Sequence, residues 1–230
     1  ERFGLAVSVW TVGRYLKRWG FTPQKPLRRA FEQDPVAIRR WLAAEYPAIH
    51  ARAAAEGAEI HWGDEMGLRS DHQTGTSWSP KGLTPVIPGT GKRFRCNMIS
   101  AITNRGRLAF MVFKGRFVAR IFKDFLKRLV RQLGHKAFLI VDGHPVHKSV
   151  AVRKWVEANR SQIELFFLPS YSPDLNPIEL VFAKIKQALR SLACRTREAL
   201  WQSMQSVLDR VTASDAYNCY RHCGYTLQVE

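Results

Sequence analysis

The sequence predicts an α/β fold: a mixed sheet flanked by helices, preceded by a short helical segment. Two observations carry that prediction. After Gly57 the apolar spacing changes from helical to alternating, and the chain from there on reads as three strands and then helix and strand in turn. The run Phe138, Leu139, Ile140 and Val141 is apolar without interruption, as in a strand covered on both faces. Composition agrees. With 230 residues, 46% hydrophobic and 24% charged, the chain holds enough apolar material for one sizeable core and a small appendage.

Ser8 is placed to cap a first helix in which Val9, Val12 and Leu16 share a face, and Gly20 marks a stop near Phe21. Arg14, Lys17 and Arg18 lie off that stripe. They fit DNA contact, and equally the plain role of cations at a helix C-terminus. Thr22 to Arg29, with Pro23 and Pro26, reads as a basic linker. Asp34 and Pro35 open a second helix through Ile38, Trp41 and Leu42, which Pro47 is expected to interrupt before a further helix runs to Glu56. Residues 1–29, 30–57 and 58–230 are therefore expected as an N-terminal piece, connecting helices and a main domain.

The main domain opens with Ile60, Trp62 and Asp64 on one alternating face. A turn-rich stretch from Ser70 to Gly91 precedes strands at Phe94–Thr103 and Leu108–Phe113, joined by a hairpin turn at Asn104, Arg105 and Gly106. A helix over Val118–Leu133, a strand over Ala137–Val141, a helix over Ser149–Asn159, a strand over Ile163–Leu168 and a helix over Pro177–Leu192 complete the pattern.

Charge points to the partner. The formal net charge is +17, from 36 Lys and Arg against 19 Asp and Glu, which favours a polyanion such as nucleic acid. Charge does not separate DNA from RNA. No apolar run reaches the ~18 residues of a membrane span, and the start lacks both a signal-peptide pattern and an initiator Met. The expectation is an intracellular, membrane-free protein whose extreme N-terminus is missing. Cys96, Cys194, Cys219 and Cys223 form no CxxC pairs, and the trio Cys219, His222 and Cys223 reads as a helix end rather than a zinc site.

Three carboxylates stand at element boundaries: Asp64 at the end of the first strand, Asp142 directly after the apolar strand, and Glu179 in the first turn of a helix. Strand ends are where sites gather in α/β sheets. Converging acids repel, so a cluster implies cations, and two divalent ions bridged by carboxylates can cleave a phosphodiester. Taken singly, each acid has an ordinary explanation. Asp64 can end a strand, Asp142 before Gly143 can form a turn, and Glu179 three residues after Asn176 can close a capping box. The most specific segment is Leu168-Pro169-Ser170-Tyr171-Ser172-Pro173-Asp174-Leu175-Asn176-Pro177-Ile178-Glu179, whose prolines stiffen the loop that feeds Glu179 into its helix. Ile178, Val181, Phe182, Ile185 and Leu189 form that helix's core stripe, with Glu179 at its border. Glu65, adjacent to Asp64 on a strand, points to the opposite face, and neither it nor Asp71 is expected as a ligand.

Trp62-Gly63-Asp64-Glu65, Val141-Asp142-Gly143-His144-Pro145-Val146-His147 and above all Tyr171-Ser172-Pro173-Asp174-Leu175-Asn176-Pro177-Ile178-Glu179 resemble the bacterial insertion-sequence transposases of the mariner-like superfamily, often called the six-thirty family. The resemblance spans nearly the whole chain. It implies a ribonuclease-H-like sheet with an Asp, Asp, Glu triad at Asp64, Asp142 and Glu179. It further implies two magnesium or manganese ions, hydrolysis at transposon ends, and strand transfer into target DNA, commonly at TA. The implied partners are double-stranded DNA, terminal inverted repeats and target alike, and a second copy of the chain, with no small-molecule cofactor. The implied location is the bacterial cytoplasm and its nucleoid. The chain departs from the pattern in two places. Relatives carry two helix-turn-helix units where Ser8 to Phe21 keeps the tail of one, and Phe182 stands where relatives often have Trp.

His147, Lys148, Lys184, Lys186 and Arg190 flank the acids and are candidates for DNA phosphate contact, with a loop hydrogen bond and a solvated helix face as the ordinary readings. Two rival functions share parts of the pattern. One is a truncated, inactive DNA-binding remnant that occupies element ends, and the other is a ribonuclease or junction nuclease on the same sheet.

Overall fold

Five strands, β1 (Glu59–Arg69), β2 (Arg95–Thr103), β3 (Leu108–Phe113), β4 (Ala137–Val141) and β5 (Ile163–Phe167), hydrogen-bond in the order β3-β2-β1-β4-β5. β1, β2 and β3 form an antiparallel meander, while β4 and β5 join β1 in parallel. This is the mixed sheet that the strand order predicts. The computed structural model describes residues 4, 6–24, 30–69, 78–86, 95–192 and 196–225, and falls into two compact units, Glu1–Phe31 and Glu32–Glu230. Asp71 and most of the turn-rich stretch lie outside the described residues.

Strand alternation builds a separate core on each side of the sheet. On one side α6 (Pro177–Leu192), α7 (Arg197–Leu208) and α8 (Ala213–His222) cover Trp62, Met66, Met98, Ile102, Phe138 and Ile140. Phe182 is buried in this core, so the aromatic position keeps its packing role. On the other side α4 (Ala119–Gln132) and α5 (Val150–Ala158) cover Ile99, Ala101, Leu139 and Val141. The buried face of α4, Phe122, Phe125, Leu126 and Leu129, has helical spacing. Every residue of β4 is buried, as its unbroken apolar run requires.

Two expectations are corrected upstream of the sheet. α2 (Pro35–Arg40), capped by Asp34, does not stop at Pro47 but runs through a π turn, Trp41–Glu45, into α3 (Tyr46–Glu56). The Tyr46 N–H bonds the Trp41 carbonyl five residues back. This wider turn gives the Pro47 ring room where a regular α-helix would clash. These helices are also more than a connector. Trp41, Tyr46, Ile49 and Ala53 are buried in the α6-side core, so the second unit begins at Glu32.

The first unit contains α1 (Val9–Arg18), in which the Ser8 hydroxyl accepts from the Thr11 N–H at 3.1 Å. Arg14, Lys17 and Arg18 are exposed on it. In the second unit the hairpin turn falls at the predicted place, with Gly106 at φ 80°. A Cβ there would stand 2.8 Å from Ala213 Cα, so the turn needs glycine for its conformation and for the approach of α8.

Lys184 lies on α6 but does not face the acids. Its ammonium pairs with Asp215 of α8, whose carboxylate also closes a capping box with Thr212. The Lys184 and Thr212 hydrogen bonds hold the Asp215 carboxyl down to about 2. A carboxylate held this low contributes stability above its unfolded value of ~3.9, and that contribution fades as pH falls toward 2. Lys184→Met is therefore expected to cost roughly 0.2–1 kcal/mol at pH 7. The difference from wild type should shrink as urea melts are repeated at lower pH.

Candidate active site

Asp64 lies within β1, five residues before its end, and not at the strand terminus as the sequence reading has it. What ends near Asp64 is the parallel pairing, whose last partners are Trp62 and Ile140. Beyond that point β1 continues against β2 alone, with Asp64 opposite Ser100. The acid thus sits where β1 and β4 diverge, which is the physical equivalent of a strand end. Gly63 lets side chains of β4 close in beside this point. A Cβ at that position would stand 3.0 Å from Leu139 Cδ1 and 3.4 Å from Val141 Cγ1.

Asp142 follows β4 directly. The backbone N–H of His144 donates to its Oδ1 at 3.0 Å, and His147 Nδ1 lies 2.9 Å from the same oxygen. His147 is fully buried, with its ring 4.5 Å from that of Phe122 and 5.5 Å from that of Phe117. The expectation of a DNA-facing His147 is therefore corrected. The turn after Asp142, in which the His147 N–H bonds the His144 carbonyl, carries the ring back beneath the carboxylate and into an aromatic slot. His147 orients Asp142 and touches no solvent. Lys148, the next residue, is exposed and lies beside Gly143, with its ammonium over the Phe167 ring at 5.1 Å.

The proline-rich loop brings in the third acid. Pro173–Leu175 forms a single 3₁₀ turn, and α6 begins immediately after Asn176. Asn176 does not close a capping box with Glu179. Its side-chain amide instead donates to the Gly63 carbonyl at 3.3 Å, joining the start of α6 to the residue before Asp64. Tyr225 fastens the loop from the other side. Its hydroxyl donates to the Leu175 carbonyl at 2.7 Å and accepts from Trp41 Nε1 at 2.9 Å. Sequence reasoning missed Tyr225 and Trp41 as supports and read Asn176 only as a cap. Tyr171, at φ 54° and exposed, forms part of the cleft lining.

Asp64, Asp142 and Glu179 line one cleft of about 320 Å³, together with Gly143 and the loop from Leu168 to Pro173. Asp64 is 9% exposed, and its carboxylate accepts the Glu65 N–H at 2.7 Å. Burial, and then the charges of Glu179, Glu65 and Asp142, push its carboxyl up to about 9. Burial would raise Asp142 as well, but the hydrogen bonds from His147 and from the His144 backbone bring it below the usual carboxylate range. The two aspartates are thus held in opposite senses by their surroundings. Glu65 leaves β1 on the α4 side, as predicted. There burial raises its carboxyl, and Oε2 has no hydrogen-bond partner.

Of the basic candidates on α6, Lys186 is half-buried and Arg190 exposed, and neither forms an ion pair among the described residues. Lys184 is already engaged with Asp215.

Comparison with known proteins places these features in a family. The model of the DDE superfamily endonucleases matches residues 59–201, and a winged helix-turn-helix model matches residues 1–45. The Tc1 transposase of Caenorhabditis elegans is 26% identical over 222 residues, covering 90% of this chain and 79% of that protein. The uncharacterised 39 kDa protein of insertion element IS630 from Shigella sonnei is 23% identical over 212 residues, covering 90% of this chain but 59% of that protein. Among solved structures, the mariner Mos1 paired end complex with Mg superposes with a TM-score of 0.70 at 18% identity, over 95% of this chain and 69% of that one.

Proposed function

The chain belongs to the DDE superfamily endonucleases, and from that membership we propose that it is a transposase that cuts DNA at the ends of a mobile element and joins the freed 3′ ends to target DNA. The observation that carries the reading is the gathering of Asp64, Asp142 and Glu179 around one cleft in a chain of net charge +17. A binder of DNA gains nothing from three acids aimed at a polyanion, whereas a phosphodiester-cutting site needs them. The relatedness to the Tc1 transposase and to the IS630 protein supports the same reading.

The cleft fits divalent cations. Its charged lining is three carboxylates, and burial first, then the charges of Glu179, Glu65 and Asp142, raise the proton affinity of Asp64, a cost that bound cations would offset. Asp64, Asp142 and Glu179 would hold the magnesium or manganese ions, two in this proposal. When bound, such ions activate a water or 3′ hydroxyl and stabilise the leaving oxygen.

The chain's own residues position and support. His147 and the His144 N–H fix Oδ1 of Asp142, and Asn176 holds the start of α6 against Gly63, so the three acids sit on rigid elements. Lys148, Lys186 and Arg190, with Arg14, Lys17 and Arg18 of the N-terminal unit, supply phosphate contacts that position DNA and make affinity fall with salt. Two copies on paired ends, working in the cytoplasm at the nucleoid, complete the proposal.

The test is cleavage of labelled DNA carrying the element's terminal repeats, with magnesium or manganese, by wild type and by Asp142→Asn. Cutting by the wild type alone, dependent on metal, is the expected result. Equal binding with no cutting by either protein would instead identify a binding remnant.

A further inference from the structure

A second cluster of ligand-type side chains lies at the other end of β1. Glu59 is the first residue of the strand, His61 lies two residues along on the same face, and His135 stands just before β4. One ligand atom from each can be chosen so that all lie within 4.8 Å of one another. Asp64 is five residues beyond Glu59 and three beyond His61, roughly 17 and 10 Å at ~3.3–3.4 Å per strand residue, and none of the three lines the acid cleft, so the cluster is separate from it.

The geometry divides the work within it. Arg107 takes Oε1 of Glu59, which leaves Oε2 facing both imidazoles, 3.3 Å from His61 Nε2 and 3.1 Å from His135 Nε2. Four-coordinate zinc with bonds of ~2.0–2.1 Å has ligand-to-ligand edges of roughly 3.3–3.4 Å, so the two Glu59 Oε2 separations, which are hydrogen-bond and ion-pair distances as they stand, are also ones a shared ion would span. His61 is 2% exposed; its Nε2 has the 3.3 Å ion-pair contact with Glu59, and its Nδ1 has no hydrogen-bond partner. A buried imidazole in that condition calls for an acceptor of its lone pair or proton. His135 is one-third exposed and opens onto a cleft of about 630 Å³ that Arg105 and Tyr217 also line. That opening gives an ion a way in and leaves a position for water.

We propose that Glu59, His61 and His135 form a binding site for a zinc-like divalent ion, tying the start of β1 to the start of β4. Two imidazoles and one carboxylate select an ion of borderline softness over magnesium. The proposal is independent of the transposase reading, and its test does not use DNA.

The probe is cobalt(II), added to the full chain in excess magnesium so that hard-ion positions are served. The expected result is one equivalent bound, with the visible bands of four-coordinate cobalt, displaced by zinc. His135→Ala, at a partly exposed position, should keep the wild-type circular dichroism and bind at least about 100-fold more weakly, so the bands vanish at stoichiometric metal. His135→Cys should restore them, and Asp142→Asn should leave them unchanged. No bands in wild type, or bands lost in Asp142→Asn but kept in His135→Ala, would overturn the proposal.

Discussion

Asp64→Asn is expected to lose DNA cleavage by about 10³-fold or more, the scale seen when one member of a unit that acts together is removed, while the folded protein becomes more stable. The loss follows from the proposed role as a bridging ligand. The gain follows from the surroundings. Asp64 is 9% exposed and faces the charges of Glu179, Glu65 and Asp142, so a neutral amide of the same shape avoids the cost of burying a carboxyl group among other acids. A gain of roughly 0.5–2 kcal/mol is in the range of substitutions that relieve a functional site. Urea melts in metal-free buffer, beside a cleavage assay in magnesium, measure both effects. A variant that cuts normally would remove Asp64 from the chemistry, and one that is both inactive and less stable would make it a structural residue.

The second large effect belongs to the wall behind the site. Trp62, two residues before Asp64, is fully buried, with its ring 4.5 Å from that of Tyr225, 5.5 Å from Tyr46 and 5.8 Å from Tyr220. These rings join β1 to α3, α8 and the residue that fastens the loop before Glu179. Trp62→Ala removes the centre of that cluster and should cost ~3–5 kcal/mol. That is a large part of the stability of a domain this size. The denaturation midpoint checks it, and a loss near that of an exposed aromatic would mean that β1 is held in place by other contacts.

Local chemistry made much of this legible beforehand. The unbroken apolar run of β4 told its burial on both faces and put Asp142 at a strand end, and the prolines from Pro169 to Pro177 told of a stiff loop that delivers Glu179. Period-2 alternation placed Glu65 on the face opposite Asp64. What stayed hidden depends on contacts distant in sequence. Asn176 has the spacing of a helix cap, but its amide is used by Gly63, 113 positions away. The bond from Trp41 to Tyr225 spans 184 positions. His147 looked like a loop residue open to DNA because nothing local shows that Phe117 and Phe122 close over it. Pro47 looked like a break because a π turn leaves no composition signal.

The most direct test of the three-acid site is Glu179→Gln under single-turnover conditions. Glu179 is exposed on the first turn of α6, so the change leaves the core untouched. DNA affinity is measured in calcium and cutting in magnesium, on duplexes that end in the terminal repeats. Unchanged affinity with cutting reduced by about 10³-fold or more is expected. Cutting at the wild-type rate would contradict the assignment of Asp64, Asp142 and Glu179 as one catalytic unit.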